Sequence, residues 1–455
     1  MNDFIFERQR KTFISYGYAL EPTSGTDKVI GNKEKYEMMK GADIYDKIPA
    51  DRKVKKSRVE KGDAGDVNGF KGPWAGFKGE NLNSVGPSQA EITASAMRKA
   101  LVTQVDYGLF EPGAEKSIFH GKEEIDEHGK TYMSPPTDVD VRFDYEGEVE
   151  NFLPKKLVNT LTGHSKAVSK VLFFPKTGHL LLSGSMDGRT KIWDVYHGQT
   201  ALRTFIGHNK GVKDICFNVD GTKFISSSYD KYVKIWDTET GKCLQSYALS
   251  TVAHCVTFNP EPGKQNLFLA GCADNKIKQY DINAGVITMD YHSHQGTVNQ
   301  IVFMADEKRF ISSSDDKTLR VWEFGSTNVL KYIAEEDLAS MPSILLHPNK
   351  KRILCQSLDN QIMVYSAQDR YKKHRKKFLG HQVSGFNCQI GCSPDGKFIM
   401  SGDASGNLWF WDWKSARILR KFQAHDMILN SCAWHPIEPS KIATCSWDST
   451  IKIWQ

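Results

Sequence analysis

Four sets of Ser or Thr, His and Asp side chains in this sequence have the residue types of a nucleophilic catalyst. In each set a His is followed 22 or 23 residues later by an Asp and 28 or 29 residues later by a Trp. In a hydrolase, the His would take the hydroxyl proton and the Asp would orient the His. The four sets are His164, Ser183, Asp187, Trp193; His208, Ser226, Asp230, Trp236; His294, Ser312, Asp316, Trp322; and His425, Thr444, Asp448, Trp454. Because a catalytic site need not be made four times, the recurrence predicts a structural role.

The sets belong to a longer period in the chain. Aromatic residues end strand-like runs such as Val233-Lys234-Ile235-Trp236, and they are separated by 43, 44, 42, 43, 46 and 43 residues. These aromatic residues are Trp193, Trp236, Tyr280, Trp322, Tyr365, Trp411 and Trp454. The period is that of the WD repeat, in which each unit forms one four-stranded blade of a β-propeller. The sequence therefore predicts an all-β, seven-bladed WD-repeat propeller over residues 152–455. In this repeat family His, Ser or Thr, Asp and Trp form a buried hydrogen-bonded chain within a blade, as their donors and acceptors allow.

Three units depart from the four-residue pattern. The third has Leu249 and Ala270 at the His and hydroxyl positions but keeps Asp274. The fifth has Asp337 and Cys355 there and keeps Asp359. The sixth keeps His381, Ser401 and Trp411 but has Ser405 at the Asp position. We expect blades three and five to be held by apolar packing alone and to open more easily.

The seventh unit needs an outer strand from elsewhere, because only Gln455 follows its Trp454. The segment Lys156-Leu157-Val158-Asn159-Thr160-Leu161 has strand character and precedes the first Gly-His pair. We expect it to complete blade seven, which would close the ring and remove an exposed sheet edge.

Residues 1–151 differ in composition from the repeats. Residues 1–150 hold 16 of the 36 glycines but one of the ten tryptophans, so we predict a largely disordered partner-binding region. A capping box at Ser88-Gln89-Ala90-Glu91 predicts a helix over 88–104. Trp74 and Phe77, in a glycine-framed turn, are candidate anchors for a partner. Residues 117–120 and 131–133 favour a short hairpin or a wrapped strand.

A basic stretch interrupts the blade period in its longest interval. Its cations are Arg370, Lys372, Lys373, Arg375, Lys376 and Lys377. Dense Lys and Arg is typical of contacts with RNA phosphates, and an acidic protein would fit the same charges. A solvated loop is the alternative interpretation.

Other site chemistries find little support in the sequence. The nine cysteines are odd in number, form no CxxC pair and fall in the repeats, which indicates reduced core residues rather than disulfides or a metal site. There is no phosphate loop and no HExxH motif. The formal charge of +6 permits nucleic-acid or acidic partners without requiring them. No signal peptide or membrane-spanning run is recognisable. We expect no catalytic, cofactor or metal site and no small-molecule substrate.

Several segments beyond the repeat frame resemble the pre-mRNA-processing factor seventeen family. They include Leu153-Pro154-Lys155-Lys156, Arg203-Thr204-Phe205-Ile206-Gly207-His208, Lys264-Gln265-Asn266-Leu267-Phe268, Gln356-Ser357-Leu358-Asp359-Asn360-Gln361, Trp411-Asp412-Trp413-Lys414 and Gly72-Pro73-Trp74-Ala75. The resemblance covers residues 115–455 well and residues 1–114 in islands. It implies a nuclear, non-enzymatic splicing factor acting at the second transesterification, a monomer within the spliceosome. It also implies spliceosomal proteins as partners, with snRNA or pre-mRNA backbone beside them, and a possible cell-cycle phenotype through splicing.

Two other classes of propeller protein compete with this interpretation. Ubiquitin-ligase substrate receptors commonly have Arg two residues after the Trp-Asp pair, whereas this chain has Tyr196, Glu239 and Lys414 at such positions. A signalling scaffold of the G-protein β type would need an N-terminal coiled coil, and no heptad run precedes residue 150.

Overall fold

The computed structural model describes residues 18–20, 29–31, 115–121, 124, 130–139, 141, 150–198, 200–335, 338–368 and 370–455. The predicted helix over 88–104, the candidate anchors Trp74 and Phe77, and Asp337 lie outside these residues. The chain divides into two compact units, Met1–Met97 and Arg98–Gln455. In the first unit, β1 (Tyr18–Leu20) and β2 (Val29–Gly31) form an antiparallel pair.

The second unit contains seven antiparallel blades, as predicted, and its described part has no helix. Blade one comprises β5 (Val168–Phe173), β6 (Leu180–Ser185), β7 (Arg189–Asp194) and β8 (Ala201–Ile206). Blade two comprises β9 (Val212–Phe217), β10 (Lys223–Ser228), β11 (Tyr232–Asp237) and β12 (Cys243–Ala248). Blade three comprises β13 (Ala253–Phe258), β14 (Leu267–Cys272), β15 (Lys276–Asp281) and β16 (Val286–His292). Blade four comprises β17 (Val298–Phe303), β18 (Arg309–Ser314), β19 (Leu319–Glu323) and β20 (Val329–Ile333).

The last three blades follow the same strand order. Blade five comprises β21 (Ser343–Leu346), β22 (Arg352–Ser357), β23 (Gln361–Ser366) and β24 (Lys373–Leu379). Blade six comprises β25 (Ile390–Cys392), β26 (Phe398–Gly402), β27 (Asn407–Asp412) and β28 (Ile418–Gln423). Blade seven comprises β29 (Leu429–Trp434), β30 (Ile442–Ser446), β31 (Ile451–Trp454) and, from upstream, β4 (Leu157–Leu161).

Strand β4 supplies the outer strand that blade seven lacked. It pairs with β31, with Leu161 opposite Ile451 and Leu157 opposite Trp454. Leu161 is buried in a core shared by blades seven and one. The ring is therefore closed by a strand that precedes blade one in the chain.

Each blade is buried on both faces because one neighbouring blade packs against each face. The middle strands of blade two, β10 and β11, are almost wholly buried, whereas in its outer strand β12 every residue except Tyr247 is exposed or half-buried. Phe205 of blade one packs edge-on against Phe224 and Trp236 of blade two, at 4.8 and 5.4 Å between ring centroids. Apolar residues on both faces of the middle strands are thus what joins neighbouring blades.

A segment upstream of β4 also packs on the propeller. Strand β3 (Lys116–Phe119) pairs with β8 and adds a fifth strand to blade one. The guanidinium of Arg203 lies 5.2 Å from the ring centroid of Phe119 and 5.5 Å from that of Tyr132. The hydroxyl of Tyr132 donates to the carbonyl of Thr238 in blade two. The packed structure therefore extends upstream of residue 152, the boundary expected from the sequence, and the wrapped strand is the form that this segment adopts.

Candidate functional site

The four-residue sets form continuous hydrogen-bonded chains inside their blades. In blade two, His208 Nδ1 lies 2.9 Å from Asp230 Oδ2, and His208 Nε2 lies 2.8 Å from Ser226 Oγ. The indole N–H of Trp236 donates to Ser226 Oγ at 3.0 Å. A neutral His with its proton on Nδ1 satisfies every partner, since Ser226 can then donate to Nε2. The chain runs from indole to hydroxyl to imidazole to carboxylate.

Blades one, four and seven repeat this geometry. The His–Asp distances are 2.9, 2.8 and 2.8 Å, and the His–hydroxyl distances are 2.8, 2.7 and 2.9 Å. Burial would raise the pKa of Asp187, but the electrostatic interaction with the His164 ring and the hydrogen bond from it lower that pKa to about 2. For Asp448, burial likewise raises the pKa, and the hydrogen bond and electrostatic interaction with His425 lower it to about 2. These carboxylates are held ionised by their blades.

The hydroxyl of each chain is closed to solvent. Ser183, Ser226, Ser312 and Thr444 are fully buried. A nucleophile must reach the reacting atom of its substrate, and these hydroxyls are enclosed between strands. Each chain of hydrogen bonds links the turn before the third strand of a blade to the turn before its first strand.

Blade three shows what happens without the His. Leu249 and Ala270 pack in an apolar core with Tyr280, whose buried hydroxyl has no hydrogen-bond partner. Asp274 accepts from the backbone N–H of Lys276 at 3.3 Å and lies 3.5 Å from Lys278 Nζ. In blade five, the buried hydroxyl of Tyr365 likewise has no partner.

We expect Asp230→Ala to lower the free energy of unfolding much more than Asp274→Ala. Removal of the Asp230 carboxylate leaves His208 and the backbone N–H groups of Asn209 and Tyr232 without their acceptor. A buried group left unpaired costs roughly 1–3 kcal/mol, which applies to the ring of His208 and the N–H of Tyr232 more than to the exposed N–H of Asn209. Denaturant titration of the two variants measures the difference, and equal midpoint shifts would contradict this role of the chain in blade two.

Blade six departs from the expected set of His381, Ser401, Trp411 and Ser405. His381 Nε2 contacts the side-chain amide of Gln356 in blade five, 2.8 Å from its nitrogen and 3.1 Å from its oxygen. The indole N–H of Trp411 donates to the carbonyl of Leu379, at 3.1 Å. Ser401 also contacts Gln356, with 3.3 Å between its Oγ and the amide oxygen. Because no carboxylate stands at position 405, nothing fixes His381 Nδ1, which is buried without a partner.

The carboxylate of blade six is Asp403, which sequence reasoning missed. It accepts from the indole N–H of Trp409 at 2.8 Å and from the side-chain amide of Asn407 at 2.9 Å. It also accepts from the backbone N–H groups of Ser405 and Asn407. The sequence did contain a signal for this carboxylate. Asp403 lies two residues before the expected position 405, and Trp409 lies two residues before Trp411.

The basic stretch forms an outer strand rather than a loop. Lys373–Lys377 belong to β24, and Arg370 and Lys372 precede it. Lys373 pairs with Glu335. Lys376 Nζ donates to the carbonyls of Trp413 and Lys414, at 2.6 and 3.1 Å, and lies 4.6 Å from the Trp413 ring centroid. Two of the six cations are thus engaged within the propeller, while Arg370, Lys372, Arg375 and Lys377 are exposed.

The exposed positive charge of the basic stretch extends onto blade six. The contact of Lys376 brings the turn of Trp413 and Lys414 beside β24, and Lys414 and Arg417 are exposed there. Between residues 350 and 423 the sequence has fourteen Lys and Arg against five Asp and Glu, a formal charge of +9 compared with +6 for the whole chain. We name the exposed cations at positions 370, 372, 375, 377, 414 and 417 the basic surface. It spans two blades, and its blade-six half was not recognised from the sequence.

Cysteines and metal ligands add no further site among the described residues. All nine cysteines are free thiols, and six of them are buried. Burial raises the pKa of Cys272 to about 12. No group of three or more His, Cys, Asp or Glu side chains in the described ranges is arranged to hold a metal ion.

Comparison with known proteins places these features in context. The family described as WD domain, G-beta repeat matches residues 155–194, 199–237, 285–323, 372–412 and 416–455. These matches include the first three strands of blades one, two, four, six and seven, but not those of blades three and five, which have neither the His nor the hydroxyl of the four-residue pattern.

The chain is also similar to whole proteins. Human pre-mRNA-processing factor 17 is 45% identical over 466 aligned residues, covering 100% of this chain and 79% of that protein. The protein of the same name from Saccharomyces cerevisiae is 39% identical, covering 72% of this chain and 73% of that protein. Mouse WD repeat-containing protein 25 is 28% identical over 67% of this chain.

Proposed function

Since the chain belongs to the pre-mRNA-processing factor 17 family, we propose that it is a nuclear, non-enzymatic scaffold of the spliceosome that acts at exon ligation, the second catalytic step. The observation that carries the proposal is the 45% identity to the human splicing factor, which extends over the whole chain, upstream region included. A resemblance confined to the repeats would support the fold alone.

The architecture suits a scaffold. The Ser–His–Asp sets are enclosed within blades, so their chemistry is used for stability. The propeller presents outer strands and turns on a rigid body, and such surfaces bind other macromolecules. The upstream region, with Trp74, Phe77 and the predicted helix over 88–104, is proposed to grip further partners.

The basic surface is proposed to contact RNA phosphates within the complex. Arg375 and Lys377 are exposed on the outer strand β24, Arg370 and Lys372 are exposed just before it, and Lys414 and Arg417 extend the charge to blade six. Internal contacts of Lys373 and Lys376 hold the strand in place without using the exposed cations. An ordered row of cations on a rigid edge suits the regular spacing of a nucleic-acid backbone.

Affinity purification of the tagged protein from nuclear extract, with RNA sequenced beside protein, tests this assignment. We expect spliceosomal proteins together with snRNA and pre-mRNA. Recovery of ubiquitin-ligase subunits or of signalling proteins, without splicing RNA, would favour a substrate receptor or a signalling scaffold instead. In the same experiment, a variant with Arg370, Lys372, Arg375 and Lys377 changed to Gln should retain the proteins but lose RNA as salt rises.

A matched control removes the same charge elsewhere. Four exposed lysines on blades two, three and four can be changed to Gln: Lys242, Lys264, Lys308 and Lys331. Binding of a single-stranded RNA of about 20 nucleotides should become less salt-dependent in the first variant. The slope of log K against log salt should fall by about 0.7 for each phosphate that the variant no longer neutralises. Equal slopes for the two variants would contradict the RNA contact.

A further inference from the structure

Strand β3 shows how the outer edge of a blade can be occupied. It pairs with β8 of blade one, and the residue before it, Glu115, forms a buried ion pair with Lys234 of blade two. The side chain of Ser117 covers the turn of blade two at Gly241 and leaves no room there for a Cβ. An added strand therefore contacts the next blade at two positions, a carboxylate before the strand and a hydroxyl within it.

Strand β4 is the counterpart of β8 in blade seven. Thr160 in β4 and Thr204 in β8 each lie opposite the Lys of their third strand. Within the described ranges β4 pairs with β31 alone, and Leu157 and Val158 are 43% and 51% exposed. Charged side chains commonly block the addition of a further strand at a sheet edge, and the five residues of β4 include none. This edge is open to a further strand.

The lysine beside this edge lacks the partner that its counterpart has. Lys191 holds in blade one the place of Lys234 in blade two, two residues before the Trp. It is 8% exposed and forms no hydrogen bond or ion pair with the described residues. Burial lowers its pKa, whereas Asp187 raises it. The corresponding cations of blades three, four and seven are engaged: Lys278 with Asp274, Arg320 with Asp316, and Lys452 with the carbonyl of Ala424. A buried charge is normally paired, so Lys191 is a binding position for a carboxylate.

The place that such a carboxylate would take is open. In blade two, the side chain of Glu115 lies over Gly207, and its Cγ is 2.8 Å from where a Cβ of Gly207 would stand. The equivalent glycine before blade one is Gly163, which is exposed, whereas Gly207 is buried. The three atoms nearest to a Cβ on Gly163 belong to Trp193 and to the amine of Lys191, which is 3.6 Å away. The acidic residue is the missing part of this arrangement.

The hydroxyl position is open as well. Gly198 is the counterpart of Gly241, and a Cβ on it would meet none of the described atoms within 4 Å. Asn159 donates to the carbonyl of Gly198 at 3.1 Å, but its side-chain oxygen is buried without a hydrogen-bond partner. In β8 the same place is held by Arg203, which donates to Ser117 Oγ at 3.0 Å. A hydroxyl at the Ser117 position of an added strand is positioned to donate to the Asn159 oxygen.

We propose that the free edge of β4 binds an extended segment of a partner protein whose leading carboxylate pairs with Lys191. The segment adds a fifth strand to blade seven, antiparallel to β4, as β3 does in blade one. Backbone hydrogen bonds hold the segment, and the carboxylate sets its register. This edge lies on a different blade from the basic surface, and the inference does not depend on the splicing role.

The probe is a fluorescent peptide with the sequence of residues 113–121, because it reproduces the strand that binds β8. In the full-length protein β8 already carries β3, so β4 is the equivalent edge that is free. We expect saturable binding by fluorescence anisotropy. Glu115→Gln in the peptide should weaken binding about tenfold, the order expected for a hydrogen bond to a charged group. Lys191→Met in the protein should weaken binding equally and make it insensitive to the change in the peptide.

Thr160→Pro tests the addition of a strand. The N–H of His120 donates to the carbonyl of Leu202, so alternate residues of β8, Thr204 among them, turn their backbone groups toward β3. The N–H of the equivalent Thr160 is then on the free edge of β4, where Pro is tolerated. The variant should lose peptide binding and melt near the wild-type temperature. If it does not fold, the comparison made with Lys191→Met decides the question.

Lys331→Met is the matched control, because Lys331 is exposed on the outer strand of blade four. It should leave peptide affinity unchanged. Absence of binding by the wild-type protein would overturn the proposal, and so would binding to Lys191→Met that still depends on the glutamate. Sedimentation should show a monomer. A dimer that Thr160→Pro dissociates would assign the edge to a second copy of this chain and overturn the proposed partner.

Discussion

A chain that begins at Gly163 should melt far below one that begins at Phe152. The deletion removes β4, exposes the full edge of β31 and uncovers the blade-seven core that Leu161 fills. It also breaks the backbone bonds from Phe152 to Pro439 and from Lys155 and Lys156 to Gln455. Burial of one Leu contributes about 1.5–3 kcal/mol and each hydrogen bond about 0.5–1.5 kcal/mol. The summed loss is comparable to the roughly 5–15 kcal/mol that stabilises a typical domain.

A point variant in the full-length chain separates this effect from truncation. Leu161 is 1% exposed and Leu157 is 43% exposed, yet both lie in β4. Leu161→Asp should lower the melting temperature steeply, and Leu157→Asp should change it little. Thermal melting of the two truncated chains and the two point variants measures how much the closing strand β4 stabilises the propeller. Equal stability of the chains beginning at 152 and 163 would show that the ring does not depend on this strand.

The sequence predicted those features whose partners recur at a fixed spacing. The lengths of the strands and turns in blade two bring four side chains within hydrogen-bonding distance: His208, Ser226, Asp230 and Trp236. Because the same lengths recur from blade to blade, the arrangement is recognisable in the sequence. The closing strand was predictable for the same reason, since six blades had an outer strand and the seventh lacked one. The fold was predictable because the spacing recurs over seven blades, and one blade alone would not have shown it.

Features that depend on distant partners were not predictable in this way. Gln356 takes the place of a network residue for His381, although it lies in another blade. The packing of Arg203 between Phe119 and Tyr132 joins residues more than 70 positions apart. The charge of the basic stretch was evident, but the internal engagement of Lys373 and Lys376 was not, because it requires Glu335 and the turn at Trp413.

The proposed role in exon ligation is tested most directly in a splicing extract depleted of this protein. After depletion, lariat intermediate and free first exon should accumulate, because branching proceeds and ligation does not. Addition of the wild-type protein should restore ligated exons, and a mock-depleted extract should splice normally. Normal exon ligation in the fully depleted extract would contradict the account.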